Sequence, residues 1–163
     1  MSKVKVIYGS CGGNTESAAK QIATELGAEV INVADATEAD FNGDLVILGT
    51  STWGIGDLQD DWNAKPDILD RIDVSSTKFA LFGLGDQRGF GSSFIDGVGT
   101  LYAKLVKRGA KIVGQWSSTE YTFDGSTALV SGLFAGLALD NDNEPEKTPE
   151  RIKTWCEQLK KAI

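Results

Sequence analysis

The chain contains no histidine. That removes imidazole acid–base catalysis, nucleophilic triads built on histidine, and imidazole metal sites. Its two cysteines, Cys11 and Cys156, are far apart and form no CxxC or metal-ligand spacing. No metal site is expected, and the thiols fit a reducing compartment. Basic residues are the minority, 16 against 23 acidic, for a net charge of −7. Nucleic acid and anionic membranes are therefore poor partners, and a basic protein surface is a fitting one. No apolar run approaches a membrane span, and Met1 to Val6 enters a strand with no signal-like region. A soluble, cytoplasmic, monomeric protein is expected.

What is present is an ordinary globular composition, 41% hydrophobic and 24% charged over 163 residues. The length predicts one domain, 1–163, with a full core. Val4 to Tyr8 reads as a strand. It runs into the loop Gly9-Ser10-Cys11-Gly12-Gly13-Asn14-Thr15, and Thr15 to Leu26 carries Ala18, Ile22 and Leu26 at helical spacing. A strand, a small-residue loop and a helix start together form an anion site, because backbone N–H groups converge at the positive end of the helix. The alternative is an ordinary βα turn. The loop has no Lys for a P-loop, no Arg for a cysteine phosphatase and no GxGxxG for a dinucleotide. The anion reading is thus narrowed to a phosphate monoester held by amides and hydroxyls.

Further along, Glu29 to Val33 is a short strand, and Leu45 to Gly49 is a continuous apolar run of the kind buried in parallel sheets. A second loop, Thr50 to Asp57, follows it, then a helix within Asp60 to Ile72. Phe79 to Phe82 is the fourth strand and ends in a third loop, Gly83 to Gly91. A helix over Ser93 to Arg108 places Phe94, Val98, Leu101, Tyr102 and Leu105 on one face. Lys111 to Trp116 starts a fifth strand. The pattern then breaks over Ser117 to Ser131 and resumes as strand over Leu133 to Leu139. The last helix opens at Thr148-Pro149-Glu150, an N-cap followed by proline, and turns Ile152, Trp155, Cys156 and Leu159 inward.

Five strands alternating with helices predict a doubly wound parallel α/β sheet with helices on both faces. The Rossmann order and the order 2-1-3-4-5 are the two to weigh. In the second, strands 1, 3 and 4 are neighbours, so the three loops rich in Gly, Ser and Thr meet at one sheet edge. A receiver domain shares that order but needs Asp at the end of strand 3, where Gly49-Thr50 stands.

With these motifs assembled, the chain resembles a long-chain flavodoxin over essentially its full length. The first loop resembles the family's phosphate loop. Thr52-Trp53-Gly54-Ile55-Gly56 resembles its Thr-Trp-x-x-Gly loop, and Gly83 to Phe90 its Gly-x-Gly-Asp-Gln-x-Gly-aromatic loop. Trp116 to Leu133 resembles the insertion that splits strand 5 in long-chain members, and Ala138 to Asn143 the sequence near the ribityl chain.

The resemblance implies FMN as cofactor. It assigns Ser10, Cys11, Gly12, Gly13, Asn14 and Thr15 to its phosphate. Ser51, Thr52, Trp53, Gly54, Ile55 and Gly56, with Leu84, Gly85, Asp86, Phe90, Ser93 and Asp142, are assigned to the rest of the ligand. Trp53 is read as stacking on the isoalloxazine, and the Gly54–Ile55 peptide as the one that turns toward N5. Phe90 stands where the family usually has Tyr, Cys11 where a hydroxyl residue is usual, and Ser93 where many members have Asn. The implied function is low-potential, single-electron shuttling between redox proteins, a reductase donor and an acceptor enzyme with basic docking surfaces. Acidic residues at the ring (Asp57, Asp60, Asp61, Asp86) and its rim (Asp140, Asp142, Glu144, Glu146) match such surfaces. An FMN-dependent NAD(P)H:quinone reductase is the enzyme alternative.

Overall fold

Val4 to Tyr8 are all buried, as an interior strand of a sheet covered on both sides requires. This strand belongs to a computed structural model that describes residues 3–9, 13–53, 57–58, 62, 68–89 and 91–162, with only the backbone at 52, 53, 57, 58 and 92. The main strands are β1 (Val4–Tyr8), β2 (Glu29–Asn32), β3 (Leu45–Trp53), β4 (Asp57–Leu58), β5 (Lys78–Leu84) and β6 (Lys111–Val113). They are followed by β7 (Trp116–Ser117), β8 (Leu129–Val130), β9 (Leu133–Phe134) and β10 (Leu137–Leu139). The helices are α1 (Asn14–Leu26), α2 (Ile68–Arg71), α3 (Asp96–Lys107) and α4 (Thr148–Ala162).

The parallel sheet runs β2-β1-β3-β5, with β6 and β10 both beyond β5. This is the order 2-1-3-4-5 with its fifth strand in two pieces. Period-two alternation divides the core between the two faces. Val4, Val6, Leu45, Ile47, Ala80 and Phe82 pack under Ile22 of α1 and Trp155 and Leu159 of α4. Ile7, Val46, Leu48, Phe79 and Leu81 pack on the opposite side with Leu69 of α2 and Val98, Leu101 and Leu105 of α3.

The fifth strand departs from the expected boundaries. Lys111–Val113 pairs with Lys78–Ala80, and the chain then leaves the sheet at Gly114, whose φ is +83°. Trp116–Ser117 pairs instead with Leu133–Phe134, so the expected strand Lys111 to Trp116 ends, and the expected strand Leu133 to Leu139 begins, in a separate three-stranded sheet, β7-β9-β8. The chain re-enters at Leu137–Leu139, against Phe82–Leu84. Between the two sheets lies Gly136, whose Cβ, if it had one, would sit 2.0 Å from the carbonyl oxygen of Leu81. Only glycine brings the backbone that close.

The insertion shares an aromatic cluster with the rest of the fold. Phe94, Tyr121, Phe123 and Phe134 contact one another at ring separations of 5.2 to 5.7 Å. The Tyr121 hydroxyl accepts from Trp116 Nε1 at 3.0 Å and donates to the carbonyl of Ala138 in β10. The alternating Tyr121 and Phe123 of a polar segment thus seat the insertion on the main domain.

The other differences are local. The second loop begins later than expected, because Thr50 to Trp53 continue β3: Thr50 and Ser51 pair in parallel with Gly83 and Leu84 of β5, and Thr52 and Trp53 pair antiparallel with Leu58 and Asp57. Within the expected helix Asp60 to Ile72, the described helix is the short Ile68–Arg71. The expected helix over Ser93 to Arg108 is preceded by a 3₁₀ turn at Gly91–Ser93 and starts at Asp96. Thr148 is already helical, since a 3₁₀ turn at Pro145–Lys147 feeds α4 directly, and its hydroxyl donates to Asn141 Oδ1 rather than capping.

Candidate cofactor site

The C-terminal ends of β1, β3 and β5 lie side by side. Tyr8 is registered with Gly49, and Ser51 with Leu84. The three loops picked out in the sequence therefore leave one edge of the sheet together. This is the position where parallel α/β sheets bind ligands, outside the carboxyl ends at the point where strand order reverses.

The first loop delivers the chain to α1 through Gly13, which has φ +86° and open space where a Cβ would be. Among the described residues no side chain caps the helix; Asn14 and Gly13 are exposed, and Thr15 is buried. A helix of thirteen residues with uncapped first-turn amides is an anion-binding end. Ser10, Cys11 and Gly12 lie outside the described residues.

The second loop is the tip of a hairpin. Trp53 occupies the last paired position of β3, opposite Asp57, and Gly54, Ile55 and Gly56 lie outside the described residues. Trp62 is buried and donates through Nε1 to the carbonyl of Gly49 in β3 at 2.8 Å. The Ser51 hydroxyl is buried and has no hydrogen-bond partner among the described residues. A buried hydroxyl left unpaired is costly, and this one sits in the strand whose end leads to Trp53. The orphaned hydroxyl and the uncapped helix fit a polar, phosphorylated ligand such as FMN.

The third loop is held by carboxylates. Leu84 is buried at the strand end, and the Gly85 amide donates to the carbonyl of Leu139 at 3.0 Å. Asp86 Oδ1 accepts from the amides of Arg88 and Gly89 at 3.1 and 2.7 Å and from Asn143 Nδ2 at 2.8 Å. The Gly89 amide first, then Asn143, hold its pKa below the ordinary value. Ser93 is buried in the 3₁₀ turn that follows, and Phe90 lies outside the described residues.

Asp140 corrects the sequence reading. It was expected at an acidic rim, but it is fully buried. Its Oδ1 accepts from the amides of Asp142 and Asn143, and its Oδ2 from the Gln87 amide, Gln87 Nε2 and Asn143 Nδ2, all at 2.8 to 3.1 Å. A buried carboxylate is tolerated when its lone pairs are this fully engaged. Asp142 is exposed beside it. Partial loss of water, then the negative charges of Asp86 and Asp140, raise its pKa.

Glu144 is also not a free rim charge. It bonds Lys147 at 2.7 Å, Arg151 Nη2 at 3.1 Å and Gln87 Nε2 at 2.8 Å. Lys147 above all, with Gln87 and Arg151, lowers its pKa from 4.5 to about 2. A depressed carboxylate pKa stabilises the fold above its unfolded value, and that contribution is lost as pH falls through the folded one. Glu144→Gln is therefore expected to be less stable than the parent at neutral pH. The deficit should shrink as pH falls from about 4.5 toward about 2. Urea unfolding of both proteins across that range checks it, and a deficit independent of pH would exclude the charge as its cause.

Arg151 and Trp62 were not singled out in the sequence, and Gln87 and Asn143 entered only as members of the third-loop and ribityl-chain motifs. Arg151 carried a signal. It is a cation in the first turn of a helix, where the macrodipole disfavours positive charge. It is only 4% exposed, and its guanidinium lies 4.4 Å from the centre of the Tyr121 ring.

The comparisons with known proteins agree with this geometry. The flavodoxin family model matches residues 6–155. A flavodoxin of Synechocystis sp. is 42% identical, with 100% of this chain and 99% of the relative covered. One of Nostoc sp. is 43% identical over 97% of this chain and 95% of the relative. The crystal structure of Fusobacterium nucleatum flavodoxin bound to flavin mononucleotide superposes with a TM-score of 0.94 at 32% identity, covering 100% of this chain and 99% of that one. With the sheet order, the split fifth strand and the converging loops in place, these matches mean that the chain belongs to the flavodoxin family.

Proposed function

We propose that residues 1–163 act as one flavodoxin-like domain that carries single electrons at low potential between redox proteins through non-covalently bound FMN. The observation that carries this reading is the uncapped N-terminus of α1, entered through left-handed Gly13, beside the ends of β3 and β5. FMN supplies the one-electron chemistry when bound.

The residues divide the work by position. Ser10 to Thr15 hold the phosphate through amides and hydroxyls. Thr52 to Gly56 and Leu84 to Phe90 enclose the ring, with Ser51, Ser93 and Asp142 around them. An aromatic face stacked on the ring, from Trp53 or Phe90, adds about 0.5–1.5 kcal/mol beyond the area it buries. Asp86, kept ionised by its amide donors, sets a negative field beside the ring. At ~8 Å one carboxylate opposes an added negative charge by roughly 0.5–2 kcal/mol for effective dielectrics of 80 to 20. About 1.4 kcal/mol corresponds to about 59 mV for one electron. The acidic surroundings therefore favour a low potential.

The same charge selects partners. A net charge of −7 draws basic docking surfaces toward the acidic loops. No helix among the described residues is long and apolar enough to cross a membrane. The reading is of a monomeric, cytoplasmic carrier rather than an enzyme. Its encounter rate with a basic redox partner is expected to fall steeply as salt rises, read by stopped-flow at increasing ionic strength. A salt-independent rate would exclude electrostatic docking.

The direct test is the absorption spectrum of the purified protein. A yellow protein that releases stoichiometric FMN on acid treatment is expected. A colourless protein that takes up no FMN would overturn the reading.

A further inference from the structure

Among residues 85–89 of the third loop, one side chain points into the protein. Gly85 and Asp86 are half-buried, Arg88 and Gly89 exposed, and Gln87 is 4% exposed. Its amide group uses both ends. Nε2 donates to Asp140 Oδ2 and to Glu144 Oε1, each at 2.8 Å, and Oε1 accepts from the Thr122 amide at 2.6 Å. The Gln87 backbone amide adds a bond to the same Asp140 oxygen at 3.1 Å. One side chain thus joins the third loop to the end of β10, to the Glu144–Arg151 pair at the start of α4, and to the insertion.

We propose that Gln87 is a positioning residue for the cofactor. It sets the distance between the loop that carries Asp86 and the turn that carries Asp142, and it makes the insertion part of that setting. The inference rests on the FMN reading above. Asp86 and Asp142 approach the ligand from different chain segments. Side-chain ties between those segments run from Gln87 to Asp140 and Glu144 and through Asn143, which bonds Asp86 Oδ1 and Asp140 Oδ2 at 2.8 Å each, beside the backbone bond from Gly85 to Leu139. The chemistry demands a neutral group with one donor and one acceptor end. Two carboxylates face its donor end and a backbone N–H its acceptor end. A carboxylate in its place would keep the Thr122 bond and repel Asp140 and Glu144. The other charges of this cluster are Asp86, Asp142, Lys147 and Arg151.

The distinguishing experiment compares Gln87→Glu, Gln87→Leu and the parent holoprotein. The FMN dissociation constant is read from free-flavin fluorescence on serial dilution, with both one-electron potentials and thermal unfolding alongside. At neutral pH, Gln87→Glu is expected to weaken FMN binding about tenfold or more, as leaving buried partners unpaired or opposed should. Its ratio to the parent should fall back toward one near about pH 5, where the introduced carboxyl, its pKa raised by Asp140 and Glu144, is protonated and donates again. Gln87→Leu should weaken binding at both pH values and shift the potentials. If Gln87→Leu does not fold, the pH comparison within Gln87→Glu still decides. Dissociation constants and potentials within twofold and experimental error of the parent, with only thermal stability reduced, would overturn the proposal. A parent that binds no FMN would instead defeat the reading beneath it.

Discussion

Gly136→Ala is expected to lower the stability of the fold by about 3 kcal/mol, the upper end of the usual cost of overpacking a core. The added Cβ would lie 2.0 Å from the Leu81 carbonyl oxygen, 2.5 Å from its carbon and 2.9 Å from the Leu81 side chain. A flexible side chain could swing away, but a carbonyl in β5 cannot. Leu81 is fully buried and registered with Leu48 of β3. The strain must therefore move β10, whose pairing with β5 starts one residue later at Leu137 and Phe82. Moving it weakens the Gly85–Leu139 bond and displaces Asp140, so FMN affinity should fall with stability. Urea denaturation measures the first effect. A loss below about 1 kcal/mol with an unchanged m-value would show that the strand yields without strain.

The second large effect concerns the hairpin tip. Gly54→Val is expected to narrow the gap between the two one-electron potentials by about 60 mV. By family resemblance, the Gly54–Ile55 peptide turns toward the flavin N5 as the ring is reduced, and glycine alone takes the positive φ without steric cost. A β-branched residue there costs on the order of 1–2 kcal/mol. About 1.4 kcal/mol converts to about 59 mV for a one-electron couple. A redox titration of the variant reads the gap directly, and an unchanged gap would remove Gly54 from this role.

What could be read from the sequence followed the range of the forces involved. Leu45–Leu48 announces itself because a strand covered on both faces is a continuous apolar run, and Val4–Tyr8 does so with Lys5 as its one charged residue. The loop before α1 is equally plain, since small residues between a strand and an amphipathic helix have a local cause. Thr50 to Trp53 misled because a run of Thr and Ser reads as loop, whereas β5 pairs with its first two residues and β4 with its last two. Asp140 read as surface because charge alone says nothing of burial. Its donors come from residue 87, more than fifty positions earlier, as well as from the adjacent turn. The bond from Thr122 to Gln87 spans 35 residues and has no periodic signature.

The divided fifth strand also bears on solubility of the native state. An unbroken strand at the margin of a sheet offers a row of free N–H and C=O groups on which another chain can build. Here that margin is two fragments of three residues each, β6 and β10, with the insertion leaving between them. The far margin, β2, is four residues long and turns into a 3₁₀ helix at once. Neither side presents a template long enough for a second molecule to extend the sheet.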